Sequence, residues 1–275
     1  MSTRIWQLAE KPLPLREGGS IMGILNATPD SFSDGGRYLE LEAALAHARK
    51  LVDDGAQIID IGGESSRPGS QEVAVEEELR RTLPVITALR KELPEVLLSI
   101  DTRHAPVARA ALEAGVHIIN DITGLASAEM RELCAQYRCG VVLMHMQGCP
   151  ETMQQAPHYA NVVAEVREFF AQRLRLAEQA GVNPACICLD PGIGFGKTTQ
   201  HNLALIACLE RLRLRDLPIL MGLSRKRFLG EVFHSPTLAK QSPLPTVAMS
   251  LIAARCGADV HRVHDVRALA EAMGR

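Results

Sequence analysis

No strong charge of either sign runs through this chain. Its 275 residues carry 30 Lys and Arg against 32 Asp and Glu, a formal net charge of −2. That balance argues against a nucleic-acid surface built on excess basic residues and against an acidic solvating arm. Long hydrophobic runs are missing as well: the apolar stretches are strand-sized, short of the roughly 20 residues a membrane helix needs, so no membrane partner is expected. The N-terminal segment MSTRIWQLAEKPLPLREGG breaks its apolar patch with Gln, Glu and two Lys/Arg, which is not the profile of a signal peptide. Paired CxxC motifs are also lacking. The seven cysteines (Cys134, Cys139, Cys149, Cys186, Cys188, Cys208 and Cys256) are odd in number and supply no zinc site, so a reduced cytoplasmic compartment fits best. No linker or shift of composition divides the chain, and its length suits one large domain. Residues 1–19 are expected to form a cap or hairpin over the domain made by residues 20–275.

What is present is a repeat. Short runs rich in Ile, Val and Leu end in Gly, Asn, Asp or Ser, and each leads into a segment with helical spacing. The expected strands are Ile21–Asn26, Gln57–Gly62, Val96–Thr102, His117–Ile122, Gly140–Met146, Ile187–Pro191, Pro218–Ser224 and Asp259–His264. Helical patterns such as LEAALAHARKLVDDG, EEELRRTLPVITALRKEL, APVARAALEAG and VVAEVREFFAQRLRLAEQAG lie between them, several ending in glycine (Gly55, Gly115, Gly181, Gly257). The strands lack the polar alternation of a sheet that faces water, which points to a parallel sheet covered by helices. An eightfold βα repeat of this length predicts a TIM (β/α)8 barrel in the α/β class, with a doubly wound open sheet as the competitor.

Polar residues gather at the strand ends: Asn26, Asp60 with Glu64, Asp101, Asn120 with Asp121, His145, Asp190, Ser224 with Arg225 and Lys226, and Arg262 with His264. Singly, each has an ordinary reading. Asp101 could cap the next helix, Asn120 could serve loop backbone, His145 could be a hydrogen-bonded core residue, and Lys226 could be a solvated charge. In a barrel, however, all strand ends meet on one face, and such a set there suits a polar heterocycle or an anion. Nucleotide motifs fail on inspection. DPGIGFGKTTQ would need glycine in place of Pro191 to be a P-loop and in place of Lys197 to be a dinucleotide fingerprint. Gly192, Gly194 and Gly196 are instead expected to let the backbone lie flat against a ligand, with Phe195 free to stack.

Seven segments carry a resemblance: GILNATPDSFSDGG (23–36), DIGGESSRPG (60–69), SIDT (99–102), INDITG (119–124), LDPGIGFGKT (189–198), GLSRK (222–226) and RVHD (262–265). Together, in this order, they resemble the dihydropteroate synthase family from about Ser20 to Val266. The resemblance implies a TIM barrel that condenses 6-hydroxymethyl-7,8-dihydropterin diphosphate with 4-aminobenzoate, releasing diphosphate. It also implies Mg²⁺ on the diphosphate, a homodimer packed through barrel helices, and sulfonamides competing for the aminobenzoate site.

Residue by residue, the family's pterin pocket falls on Asp101, Asn120, Ile122, Met144, Asp190, Phe195, Gly222, Lys226 and Arg262. The diphosphate site falls on Asn26, Ser66, Arg262 and His264, with Asn26 as the metal ligand. The aminobenzoate site falls on Phe32, Ser66, Arg67, Pro68 and Lys226, partly in two loops (28–36 and 64–69). Asp101, Asp190 and Lys226 are the expected catalytic residues. Two departures stand out: Ser66 replaces the family's usual threonine, and Arg227 stands where many members carry serine. Three rivals share parts of this pattern: a pterin-binding methyltransferase domain, a Schiff-base aldolase using Lys226, and a pterin binder without turnover.

Overall fold

Each apolar run in the repeat forms a strand. The computed structural model describes residues 4–9, 11–27, 36–64 and 72–275, and of 36–39 the backbone alone. A short antiparallel hairpin, β1 (Ile5–Trp6) and β2 (Leu13–Pro14), comes first. The barrel strands follow: β3 (Ser20–Asn26), β4 (Ile58–Gly62), β5 (Leu97–Asp101), β6 (Ile118–Asp121), β7 (Gly140–Met144), β8 (Ile187–Asp190), β9 (Leu220–Met221) and β10 (Val260–Val263). All are parallel; β3 to β8 pair in sequence, β10 pairs with β3, and β9 pairs with β10. A parallel bridge between Leu189 and Ile219 joins the two remaining edges, so the sheet closes into a TIM barrel and the open-sheet alternative falls.

The helices are α1 (Gly36–Asp53), α2 (Val75–Glu92), α3 (Ala105–Glu113), α4 (Ala128–Tyr137), α5 (Val162–Gln179), α6 (Thr199–Ala207), α7 (Leu209–Leu212), α8 (Arg227–Val232), α9 (Pro236–Gln241), α10 (Leu244–Arg255) and α11 (Val266–Ala272). One expected strand is far shorter than its sequence suggests, where the others differ by one or two residues. Residues 218–224 pair only over β9, since beyond Met221 the Ser224 hydroxyl accepts the His264 N–H and Arg225 turns the chain at φ 56°.

Alternation along the strands sorts the side chains. Ile59, Leu98, Ile119, Val141, Ile187 and Ile219 face outward into the shell beneath the helices. Met22, Ile58, Leu97, Ile118, Val142, Cys188, Leu220 and Val260 share a second apolar cluster with Trp6, Leu8 and Leu15 of the N-terminal segment. The hairpin thus closes the end where the strands begin, and the buried Trp6 indole donates to the Cys186 carbonyl at 2.7 Å. Two residues further along those inward faces the chemistry changes abruptly. There stand Ile24, Asp60, Ser99, Asn120, Met144, Asp190, Gly222 and Arg262, a mostly polar layer resting on an apolar plug.

Candidate active site

Asp60 is the hub of that layer. It is fully buried, and its Oδ2 accepts from Arg262 Nε at 2.6 Å and from Asn120 Nδ2 at 3.0 Å. Arg262 Nη2 donates to Asp101 Oδ2 at 2.6 Å, so one planar guanidinium spans carboxylates on β4 and β5. Burial pushes the Asp101 carboxyl up to about 7; Arg262 pulls it down, while Asp60, Glu78 and Glu64 raise it further. Burial also works against the Arg262 charge, yet Asp60 and Asp101 outweigh it and hold that pKa above the ordinary arginine range. Asp101 is therefore no helix cap, and α3 begins without a side-chain cap.

Asp190 ends β8 one strand beyond Met144. It is buried, which raises its pKa, while the charges of Lys226 and Lys197 pull it back. Its Oδ1 accepts the Gly192 N–H at 2.7 Å. Lys226, just before α8, donates to the Ile193 carbonyl and places its ammonium 4.4 Å from the centre of the Phe195 ring. Burial lowers the Lys226 pKa to about 8, with Asp190 and Asp101 restoring part of the charge. A Cβ added at Gly222 would stand 3.9 Å from that ammonium. Ile122 and Met144 are buried beside these strand ends.

The glycines of this loop pack against the protein's own chain. At Gly192 (φ 63°) a Cβ would lie 1.9 Å from the His145 carbonyl oxygen, and at Gly196 2.5 Å from that of Gln147. They allow close approach to the chain leaving β7. Gly194 alone abuts a functional group, the Lys226 side chain at 3.1 Å. Lys197, singled out in the sequence only as a missing glycine, turns out to knot the loop. Its buried ammonium donates to His145 Nδ1 (2.9 Å), Gly192 O (3.0 Å) and Phe195 O (2.9 Å), and burial depresses its pKa strongly. His145 accordingly is a hydrogen-bonded interior residue, its pKa lowered to about 3 by burial and by Lys197.

His264 follows β10, with Nδ1 2.9 Å from the Ser224 hydroxyl. Asn26 ends β3 level with Gly62, which in turn is level with Asp101. Arg227 points away from the rim: its side chain is 91% exposed and pairs with Glu231. Phe32, Ser66, Arg67 and Pro68 lie outside the described residues. Sequence reasoning gave Asp60 no role beyond its position, although a lone acid inside the apolar run IIDIG was a usable signal.

A further group lay unread in the sequence. Ligand atoms of Glu64, Glu78 and His104 come within 4.8 Å of one another, the spacing of a cation site. These carboxylates already have cationic partners. Arg103 forks onto Glu64 (Nη2–Oε1 2.9 Å, Nε–Oε2 3.2 Å), and His104 Nδ1 lies 2.7 Å from Glu78 Oε2. Burial alone would lower the His104 pKa, and the bond to Glu78 carries it above the ordinary value.

Comparison with known proteins bears on what this rim holds. A family described as pterin-binding enzymes matches residues 22–264. The chain belongs to this family. A dihydropteroate synthase of Escherichia coli is 46% identical over 253 residues, 92% of this chain and 89% of that one. Among solved structures, a Xanthomonas albilineans dihydropteroate synthase with 4-aminobenzoic acid superposes with a TM-score of 0.91 at 45% identity, covering 99% of this chain and 97% of that one. The same organism's synthase in complex with 7,8-dihydropteroate gives 0.86 at 43% identity, with 98% and 96% covered.

Proposed function

We propose that this chain is a dihydropteroate synthase, joining 6-hydroxymethyl-7,8-dihydropterin diphosphate to 4-aminobenzoate with loss of diphosphate, in the cytoplasmic synthesis of folate. The observation that carries this reading is the set of buried Asp60, Asp101, Asn120 and Asp190 with half-buried Lys226 and Arg262 on one barrel rim. Its relatives bear the synthase name over about nine-tenths of both chains, which favours turnover over a methyltransferase-type domain or a silent pterin binder.

A pterin presents its 2-amino group and N3–H as a guanidine-like donor edge. Asp190 accepts that edge in paired fashion, Asn120 offers both a donor and an acceptor, and Lys226 donates to the ring's acceptors. Each buried ring atom left unpaired would cost about 1–3 kcal/mol, so the matched edge selects the ring. Ile122, Met144, Phe195 and Gly222 complete the slot.

Diphosphate leaves from a methylene on an electron-rich ring, so C–O cleavage runs ahead of amine attack. The positive charge then growing on the pterin is stabilised by the Asp101 and Asp190 carboxylates where water is scarce. Arg262 and His264 take up the charge of the leaving group, and aniline attack on the cation needs no dedicated base. Phe32, Ser66, Arg67 and Pro68 are assigned to the aminobenzoate, with Ser66 also toward the diphosphate.

Mg²⁺ fits the donor set at the rim: Asn26 offers one neutral oxygen, which suits an ion that keeps waters and substrate phosphates around it. When bound, it supplies Lewis-acid neutralisation of the diphosphate. The Glu64–Glu78–His104 group suits that ion less, having a nitrogen ligand and the Arg103 charge alongside.

We read residues 20–275 as one pterin-binding unit and 1–19 as its cap. A homodimer through the barrel helices is favoured by Leu244 and Ile252, exposed on α10. Mixing both substrates with Mg²⁺ should yield dihydropteroate and diphosphate. Asp190→Ala and Lys226→Ala should each lower the rate by about a hundredfold or more, the scale of losing one preorganised electrostatic contact. Near wild-type rates in both variants would remove the assignment.

A further inference from the structure

The turn between β8 and α6 has Asp190 at its root and Phe195 near its tip. Its backbone is tied down group by group. Gly192 donates its N–H to Asp190 Oδ1 at 2.7 Å, and its carbonyl accepts the Phe195 N–H and the Lys197 ammonium, both at 3.0 Å. The Gly194 N–H goes to Asn202 Oδ1 on α6 at 2.9 Å, and the Gly194 carbonyl accepts from Gln154. From the segment before α5, the Tyr159 hydroxyl donates to the Gly196 carbonyl at 2.9 Å. Lys197 makes more of these ties than any other side chain. An ammonium has three protons and no lone pair, and this one, on a side chain in a residue only 3% exposed, meets Gly192 O, Phe195 O and His145 Nδ1 within 3.0 Å. By gathering two carbonyls three residues apart, it closes the turn and sets the direction in which the Phe195 ring leaves it. That ring is half-buried and lies 4.4 Å from the Lys226 ammonium.

We propose that Lys197 is a positioning residue for the pterin diphosphate: with Tyr159 as its counterpart on the same turn, it fixes Phe195 against Lys226 and steadies the Gly192 N–H that orients the Asp190 carboxylate. This rests on the functional reading above, which gives Asp190, Phe195 and Lys226 to the pterin. Lys197 touches no reacting atom, since protein acceptors close off its ammonium. Its effect therefore falls on binding of the ring rather than on the chemical step.

Steady-state kinetics of Lys197→Met test this, because methionine keeps the length of the side chain and removes its donors. KM for the pterin diphosphate should rise roughly tenfold with kcat within about threefold of wild type, the scale of losing a buried hydrogen bond to a charged group. In a Phe195→Ala background, where the ring that Lys197 places is gone, the same substitution should raise that KM only about threefold. An unchanged pterin KM, or an equal rise in both backgrounds, would overturn the proposal. Hydrogen exchange should speed up in the amides of Gly192, Gly194 and Phe195 and stay unchanged in β4 and β5. Failure of the wild type to make dihydropteroate would instead sink the functional reading; exchange would then judge the turn, and amides there no faster than in wild type would overturn the role of Lys197. Should Lys197→Met fold poorly, Tyr159→Phe removes a single hydroxyl from the same turn. It should raise the pterin KM about threefold, and an unchanged value would overturn the proposal.

Discussion

Asp101 and Lys226 titrate near neutral pH because burial acts on a carboxyl and an ammonium in opposite senses. The Asp101 carboxyl, raised to about 7, is an anion only above that pH; Lys226, lowered to about 8, is a cation only below it. The proposed function needs the charged forms of both, one to face the pterin cation and one to donate to the ring. The pH profile of kcat/KM should therefore rise through about 7 and fall beyond about 8. Asp101→Asn should lower the plateau and flatten the acidic limb; an acidic limb unchanged in that variant would assign it elsewhere. At this scale the sequence was informative about which groups sit on the rim and silent about their partners. Asp101, Asn120, Asp190 and Arg262 were legible as uncompensated polar residues at strand ends. That Asp60 would bind both Arg262 and Asn120, or that Lys197 would lie buried under four acceptors, depends on contacts between strands far apart in the chain.

Elements position these groups, and the loop after β8 does so most tightly. Gly192 holds φ 63° with no room for a Cβ, so Gly192→Ala should destabilise the fold by about 3 kcal/mol or more and disturb Asp190, whose carboxylate accepts the Gly192 N–H. Gly62→Ala meets nothing nearer than 3.8 Å and should cost under about 1 kcal/mol. Urea unfolding of the two variants compares them directly; equal losses would refute the steric account of the loop. The strands and the long amphipathic helices were readable from periodicity, and Gly55, Gly115, Gly181 and Gly257 do stand at positive φ behind helices. The helices from α6 to α10 were not. Four of them run only four to nine residues, too short to repeat an apolar stripe, and α10 (LPTVAMSLIAAR) is apolar around most of its circumference.

Across the whole molecule, one device explains both stability and site. The same alternation that fills the lower barrel with Ile58, Ile118, Val142 and Cys188, under the Trp6 cap, delivers Asp60, Asn120, Met144 and Asp190 to the layer above. An apolar plug keeps water from below, so the charges above it act at low dielectric, where burial shifts their pKa values and where a developing cation gains most from fixed carboxylates. The repeat in the sequence allowed an open sheet as well as a barrel; the deciding contact, Leu189 to Ile219, is a single bridge with no signature of its own.

The central claim is that this layer stabilises a pterin cation formed before the amine attacks. Positional isotope exchange tests it directly: the pterin diphosphate is labelled with ¹⁸O in the bond from methylene to phosphate and incubated with the protein and Mg²⁺, without aminobenzoate. The account predicts that label moves from the bridging to the non-bridging oxygens, and that Asp101→Asn slows the exchange. Label that stays in place, while the complete mixture still makes dihydropteroate, would contradict it.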